Sequence, residues 1–259
     1  MSYPVYPDKH KLHPMLTAEH MVEFRRTQGG LRNLQAPDGV VLCLYKGVMK
    51  RFAWKYPSRR VRGFLGDLYL LKRTGGRVGV VGNFGIGAPG LTSLAEEMMA
   101  WGTKRLIILS LAGGLQSDLA PGSILVCDRA IRDEGTSYHY LPAAKDVKAS
   151  STLVLAISQT LTQRGLAHSI GATWSTDAPY RETREEAEFF QGEGVKAVDM
   201  ESAGLFAVGQ VRDLETASAF VIGDSLASPK WSAPPSMRVL HRRLEVLLDA
   251  LIDVLKYNK

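Results

Sequence analysis

The sequence predicts an α/β fold, and three observations carry that prediction. Residues 78–81 form an apolar run that opens into Gly82, Gly85, Gly87 and Gly90. This is the pattern of a buried strand leading through glycines into a helix whose first turn holds Pro89. That helix carries Leu94, Met98 and Trp101 at helical spacing and stops at Gly102. Residues 106–109 then repeat the apolar strand pattern and end in Ala112, Gly113 and Gly114. Strand, helix and strand make a βαβ unit. Both glycine stretches are expected at the carboxyl ends of neighbouring parallel strands, where open α/β sheets place their ligands. The first loop is not the dinucleotide G-x-G-x-x-G, because Pro89 and Gly90 stand where that fingerprint closes.

Composition bounds the rest. The chain has 259 residues, 45% hydrophobic and 22% charged, which suits one large globular domain over residues 1–259, with residues 1–16 as an N-terminal arm. The formal charge of +6 is not gathered into a basic tract. It fits an anionic substrate or solubility and speaks against nucleic acid. Cys43 and Cys127 sit in apolar runs without a C-x-x-C pairing and read as reduced core thiols of a cytosolic protein. No apolar stretch is long enough to cross a bilayer, and the N-terminal MSYPVYPDKHKLHP is too polar for a secretory signal, so a cytoplasmic protein without a membrane partner is expected.

Taken in order, Thr17 caps a helix through about Gly29, and residues 40–44 are the first buried strand. A basic loop, Tyr45 to Arg51, and a basic link, residues 56–62, lead to a hairpin-like stretch, residues 63–73, closed by Thr74-Gly75-Gly76. A strand over 124–131 follows Gly122, a helix over 149–164 stops at Gly165, and residues 169–176 alternate as another strand. A charged helix covers 183–190, strands cover 195–198 and 217–222, and residues 237–256 carry Val239, Leu240, Leu244, Leu247, Leu248, Leu251, Ile252 and Leu255 on one amphipathic face.

Five landmarks stand in one order: residues 85–90, Ser110-Leu111-Ala112-Gly113-Gly114, residues 121–126, Val198-Asp199-Met200-Glu201-Ser202 and Val221-Ile222-Gly223-Asp224. Together they resemble the nucleoside phosphorylase and nucleosidase superfamily, and within it uridine phosphorylases and hexameric-type purine nucleoside phosphorylases. The resemblance implies a three-layer α/β/α fold with a central mixed, mostly parallel, twisted sheet. It also implies cleavage of the N-glycosidic bond of a purine nucleoside or uridine by phosphate. Free base and (deoxy)ribose 1-phosphate are then the products, inorganic phosphate the co-substrate, and no cofactor or metal is required.

The resemblance also assigns roles. Glu201 would accept hydrogen bonds from the ribose 2′- and 3′-hydroxyls, a task that suits two carboxylate oxygens, and Met200 would pack on the sugar. His13, in an H-x-x-L-T pattern, would reach the 5′-hydroxyl in a neighbouring subunit, or is a surface histidine of the arm. Tyr180, Arg181 and Glu182 fall in the base-reading segment. Asp224 would protonate or hydrogen-bond the leaving base, because breaking this bond builds negative charge there. Arg62 would cross a dimer interface to the neighbour's phosphate, beside Gly85, Ser110 and Gly113. The subunit-crossing residues imply a homo-oligomer, at least a dimer, in a family that forms hexamers.

Four departures qualify the expected activity. The family's G-D-P-x-R loop is missing, leaving Lys46, Gly47, Lys50 and Arg51 either as substitute anion donors or as a solvated face. Ile108 stands where phosphorylases place an arginine, and Ala112-Gly113-Gly114 looks like the water-using nucleosidases. The nucleosidase glutamate after the first strand is absent too, and so is the G-Q-x-R of uridine phosphorylases. Hydrolysis in the same pocket, and nucleoside binding without turnover, are therefore the alternatives to phosphorolysis.

Overall fold

Thr17 starts the first helix in the manner its sequence position predicts. Its hydroxyl accepts the His20 N–H while His20 Nδ1 accepts the Thr17 N–H, so two donors at the helix start are satisfied. The computed structural model describes residues 4–31, 34–228, 230–234 and 236–257. After α1 (Ala18–Thr27) come β1 (Gly39–Cys43), α2 (Lys46–Lys55), β2 (Ser58–Val61), β3 (Asp67–Leu71), β4 (Val78–Gly82), α3 (Ala88–Trp101) and β5 (Arg105–Gly114). The second half holds β6 (Ile124–Asp133), β7 (Asp146–Lys148), α4 (Ser151–Gln163), β8 (His168–Thr176), α5 (Arg184–Gly192), β9 (Ala197–Asp199), α6 (Ser202–Arg212), β10 (Glu215–Ser225) and α7 (Met237–Tyr257).

The sheet is mixed, and its longest pairings are parallel: β10 with β5 and β6 with β8. Its order runs β10-β6-β8-β9-β5-β1-β4-β3-β2, and β10 also pairs β5. The strands β5, β10, β6, β8 and β9 therefore close on themselves, with β1, β4, β3 and β2 as an open extension. This changes two expectations. The sheet is not open throughout, and β4 and β5 are not neighbours, because β1 lies between them in parallel register with both. A strand that precedes the βαβ unit in sequence fills its centre, which residue spacing alone does not show.

Two further readings are corrected. The basic run after the first strand is a helix, α2, starting one residue after Tyr45. Val48, Met49 and Phe52 bury one of its faces, leaving Lys50, Arg51 and Lys55 exposed, and three apolar contacts at helical spacing outweigh the charge run. The basic link is partly a strand, since Ser58 to Val61 pair with Leu71 to Leu68. The Thr74-Gly75-Gly76 turn does connect antiparallel strands, β3 and β4, with both glycines at positive φ.

Helices cover both faces of the sheet. On one side Leu94, Met98 and Trp101 of α3 and Phe206 of α6 join Leu42, Leu68 and Ile108. On the other, Phe52, Ile157, Leu244, Leu248 and Leu251 join Val41, Val80 and Ile107. On α7, Leu240, Leu244, Leu247, Leu248, Leu251, Ile252 and Leu255 are buried as expected, but Val239 is half exposed. Burial of each such side chain stabilises by about 1.5–3 kcal/mol relative to exposure, so this stripe is a principal clamp on the sheet. Its approach is close: a Cβ at Gly39 would lie 2.6 Å from Leu255 Cδ2. Cys43 and Cys127 are buried free thiols, and burial raises both, Cys43 to about 12. No helix among the described residues is long and apolar enough to cross a membrane.

Candidate active site

The β9–α6 junction is built before any ligand is considered. Asp199, buried at the end of β9, accepts the N–H groups of Glu201 at 3.2 Å and Ser202 at 2.8 Å through Oδ2. Its Oδ1 accepts the Ser175 hydroxyl at 2.7 Å, and Ser175 Oγ accepts the Ala203 N–H at 3.0 Å. A carboxylate and a hydroxyl thus satisfy the first donors of α6, where negative charge is favoured. That arrangement turns Glu201 across to α3. Its Oε1 accepts the Gly87 N–H at 2.7 Å and its Oε2 the Met200 N–H at 3.3 Å.

Glu201 is only 5% exposed, and burial, then the charge of Asp199, pushes its carboxyl up to about 7 against the pull of its two backbone donors. Gly87 sits at φ +93°, a conformation that a Cβ would strain. Gly204 lets α6 approach α3, since a Cβ there would lie 2.9 Å from Ala88 Cβ. Glycine at these two places therefore brings the two helix starts together around one carboxylate.

Asp224 arrives on the same mouth from β10. The β10–β5 register shifts between Ile222 and Asp224, which sets Asp224 opposite Gly113. A Cβ at Gly113 would lie 3.2 Å from Asp224 Oδ1, 2.8 Å from Leu226 and 2.9 Å from Val198, so glycine makes room for the aspartate. Asp224 Oδ2 accepts the indole N–H of Trp231 at 2.8 Å. Glu182 faces this group: burial first, then the charges of Asp224 and Glu186, push its carboxyl up to about 7. Ser110 lies half-buried on β5, three residues before Gly113.

Other anticipated residues are placed differently. Gly85 is exposed at φ +96° in the loop before α3, where Asn83 also takes a positive φ and donates to Asp67. Lys46 and Gly47 form the first turn of α2, which has no side-chain cap. A Cβ at Gly47 would lie 2.4 Å from the Tyr45 ring and 3.1 Å from His241 Nδ1, so packing by itself accounts for this glycine. Tyr180 is fully exposed, with Arg181 exposed beside it, in a short turn over Pro179–Arg181. Met200 is half-buried next to Glu201. His13 is exposed ahead of α1. Arg62 is exposed just after β2, the far edge of the extension, and the chain's own fold does not bring it to Glu201.

Residues 132–142 stand beside this mouth as a brace. Arg132 Nε donates to Ser137 Oγ at 2.8 Å, its Nη1 donates to the Pro142 carbonyl at 2.6 Å, and its guanidinium covers the Tyr138 ring. Glu134 accepts the Ser137 N–H at 3.0 Å, and Asp177 accepts the Gly135 N–H at 2.7 Å. Sequence reasoning missed the Gly87 donor, the Asp199–Ser175 cap and Trp231. The first two leave a trace in retrospect, a glycine before a proline-started helix and an aspartate three residues before a serine N–H. Trp231 leaves none, because only the return of the chain brings it to Asp224.

A mixed sheet closed into a barrel, with a buried carboxylate and an aspartate at its mouth, defines an α/β protein of a recognisable class. The phosphorylase superfamily model matches residues 42–253, and the chain belongs to that superfamily. It is 26% identical to the DeoD-type purine nucleoside phosphorylase of Clostridium perfringens (strain SM101 / Type A) over 199 residues, 75% of this chain and 83% of that one. It is 27% identical to the uridine phosphorylase of Treponema pallidum (strain Nichols) over 149 residues, 53% of this chain and 58% of the relative's length. Among solved structures, the AMP nucleosidase of Bacteroides thetaiotaomicron VPI-5482 shares the fold with a TM-score of 0.71 at 24% identity, over 91% of this chain and 96% of that one. The fold class expected from the sequence is thereby established.

Proposed function

We propose that this protein is a nucleoside phosphorylase acting on purine nucleosides or uridine, and that Glu201 holds the ribose. The observation that carries the reading is the placement of Glu201: buried, anchored by the Gly87 and Met200 N–H groups, and on the same mouth as Asp224. A carboxylate in that position exchanges backbone donors for two adjacent sugar hydroxyls without moving its backbone. Met200 packs against the sugar, and Tyr180, Arg181 and Glu182 border the base from the rim.

Phosphate attacks C1′ as the bond to the base breaks, and the bonding electrons leave with the base. Asp224 gives a proton or a hydrogen bond to the purine ring nitrogen that gains charge. Glu182, beside it with a carboxyl near 7, keeps a proton in the pair around neutral pH. The uncapped start of α2 supplies the Lys46 and Gly47 N–H groups and its positive end, with the Lys46 side chain, for the anion. Gly85, Ser110 and Gly113 border the same space. Arg62 and His13 act on a neighbouring subunit. Val5, Tyr6, Leu12, Met15 and Leu16, all exposed, give the arm an apolar surface for that assembly. No cofactor takes part, and the cytoplasm is the location that fits two free thiols.

Hydrolysis by water is the second reading. It is favoured by Ile108, which is fully buried where a phosphate-binding arginine would be expected, so β5 offers the anion no cation there. The deciding experiment follows base release from inosine, adenosine and uridine with and without phosphate. Phosphate-dependent ribose 1-phosphate is the expected result. Free ribose regardless of phosphate would establish the nucleosidase instead, and tight nucleoside binding with no release from any substrate would mean a binding protein.

A further inference from the structure

Asp224 is held from a side that the proposed reaction does not use. Beyond β10 the chain doubles back: Ser225 and Ser232 exchange backbone hydrogen bonds, Ser225 N–H to Ser232 O at 3.1 Å and Ser232 N–H to Ser225 O at 2.9 Å. Three more bonds fix the return. Leu226 N–H donates to Gly114 O at 2.8 Å, Ala227 N–H to Ser225 Oγ at 3.1 Å, and Gln191 Nε2 to Leu226 O at 3.1 Å. The Ser225–Ser232 pairing therefore places Trp231 beside Asp224, next to a segment tied to β5 and α5 through Leu226. The indole remains 62% exposed, so core packing does not account for its position. Its one polar atom donates to Asp224 Oδ2 at 2.8 Å, leaving Oδ1 on the Gly113 side.

We infer that Trp231 is a positioning residue for Asp224, orienting its carboxyl so that Oδ1 meets the leaving base and stabilising the carboxylate formed when the proton is given up. The inference rests on the reading of Asp224 as the group that serves the base. An N–H donor binds a carboxylate more strongly than the neutral acid, so the contact tightens as the proton leaves. Glu182 faces Asp224 from the segment ahead of α5, with Glu186 on that helix, and burial first, then the charges of Asp224 and Glu186, hold the Glu182 carboxyl up. On β5, Gly113 stands opposite the aspartate and titrates nothing.

The test is a double-mutant cycle of Trp231→Phe and Asp224→Asn, read with inosine and phosphate. Trp231→Phe alone should lower kcat about 5–20-fold with KM nearly unchanged, and should move the alkaline limb of the kcat profile upward by about half a pH unit or more. In the Asp224→Asn background the same substitution should change kcat by less than about twofold. A second readout needs no turnover. Asp224→Asn should shift a component of tryptophan emission that is missing from Trp231→Phe proteins. Equal losses from Trp231→Phe in both backgrounds, or an emission unaffected by Asp224→Asn, overturn the positioning role while leaving the acid role standing. Full purine cleavage by Asp224→Asn overturns the acid role, and the positioning role with it.

Discussion

Two regions of the molecule are built to different degrees. Around Glu201 the polar side chains are partnered inside the chain: Asp199 and Ser175 cap α6, and Gly87 and Met200 hold the carboxylate. Elsewhere, Tyr180 and Arg181 in the short turn ahead of α5, Arg62 after β2 and His13 ahead of α1 are exposed side chains. The difference follows from burial. A carboxylate that is taken out of water must be satisfied by fixed donors, so its geometry is set during folding. An exposed side chain is satisfied by water, and folding does not fix its position in the same way. The geometry around Glu201 is thus an intrinsic property of the folded chain.

The largest expected effect tests the geometry around Glu201. Glu201→Gln should cost nucleoside affinity roughly 1.5–3 kcal/mol, tens to hundreds of fold, because a charged acceptor for two hydroxyls is lost. Calorimetric titration with inosine checks this, and unchanged affinity would remove Glu201 from the sugar site. Next, Asp224→Asn should lower kcat for inosine about 100-fold or more while affecting uridine much less, since the purine ring nitrogen is the group it serves. Equal losses on both substrates would break that assignment.

The exposed residues should give smaller and conditional effects. Arg62→Ala should raise the KM for phosphate about tenfold with nucleoside binding intact, as expected for loss of one charge-assisted contact. Mixing Arg62→Ala with Glu201→Gln subunits should restore some activity if Arg62 serves a neighbour. Absence of any complementation would return Arg62 to the solvated surface.

The smallest effect is on stability. The folded Glu201 carboxyl sits near 7 against an ordinary value of 4.5, so between those pH values the folded state holds more protons than the unfolded one. Its contribution is complete below about pH 4.5 and is lost as pH rises through 7. The slope is at most about 1.4 kcal/mol per pH unit. Thermal unfolding from pH 4.5 to 8 should show a flatter decline for Glu201→Gln than for the natural sequence. Parallel curves would mean that burial does not hold the proton.

The sequence by itself determined the secondary elements with strong local signals. Thr17 caps a helix, Gly102 and Gly165 end two others, and the α7 leucines are buried, because caps, positive φ and apolar periodicity are written in short stretches. The strand-to-helix junction at Glu201 was legible for a similar reason, as part of an uninterrupted motif. What only the tertiary structure decided is long-range. The insertion of β1 between β4 and β5, the closure of β10 onto β5 and β6, the bond from Gly87 to Glu201 across 114 positions and the return of Trp231 to Asp224 all join distant segments. The run from Lys46 to Lys55 shows the same limit: its charges read as a loop, and the burial of Val48, Met49 and Phe52 against the sheet made it a helix. Local chemistry is fixed by neighbours in sequence, whereas strand order and side-chain partners are fixed by which distant apolar faces bury one another.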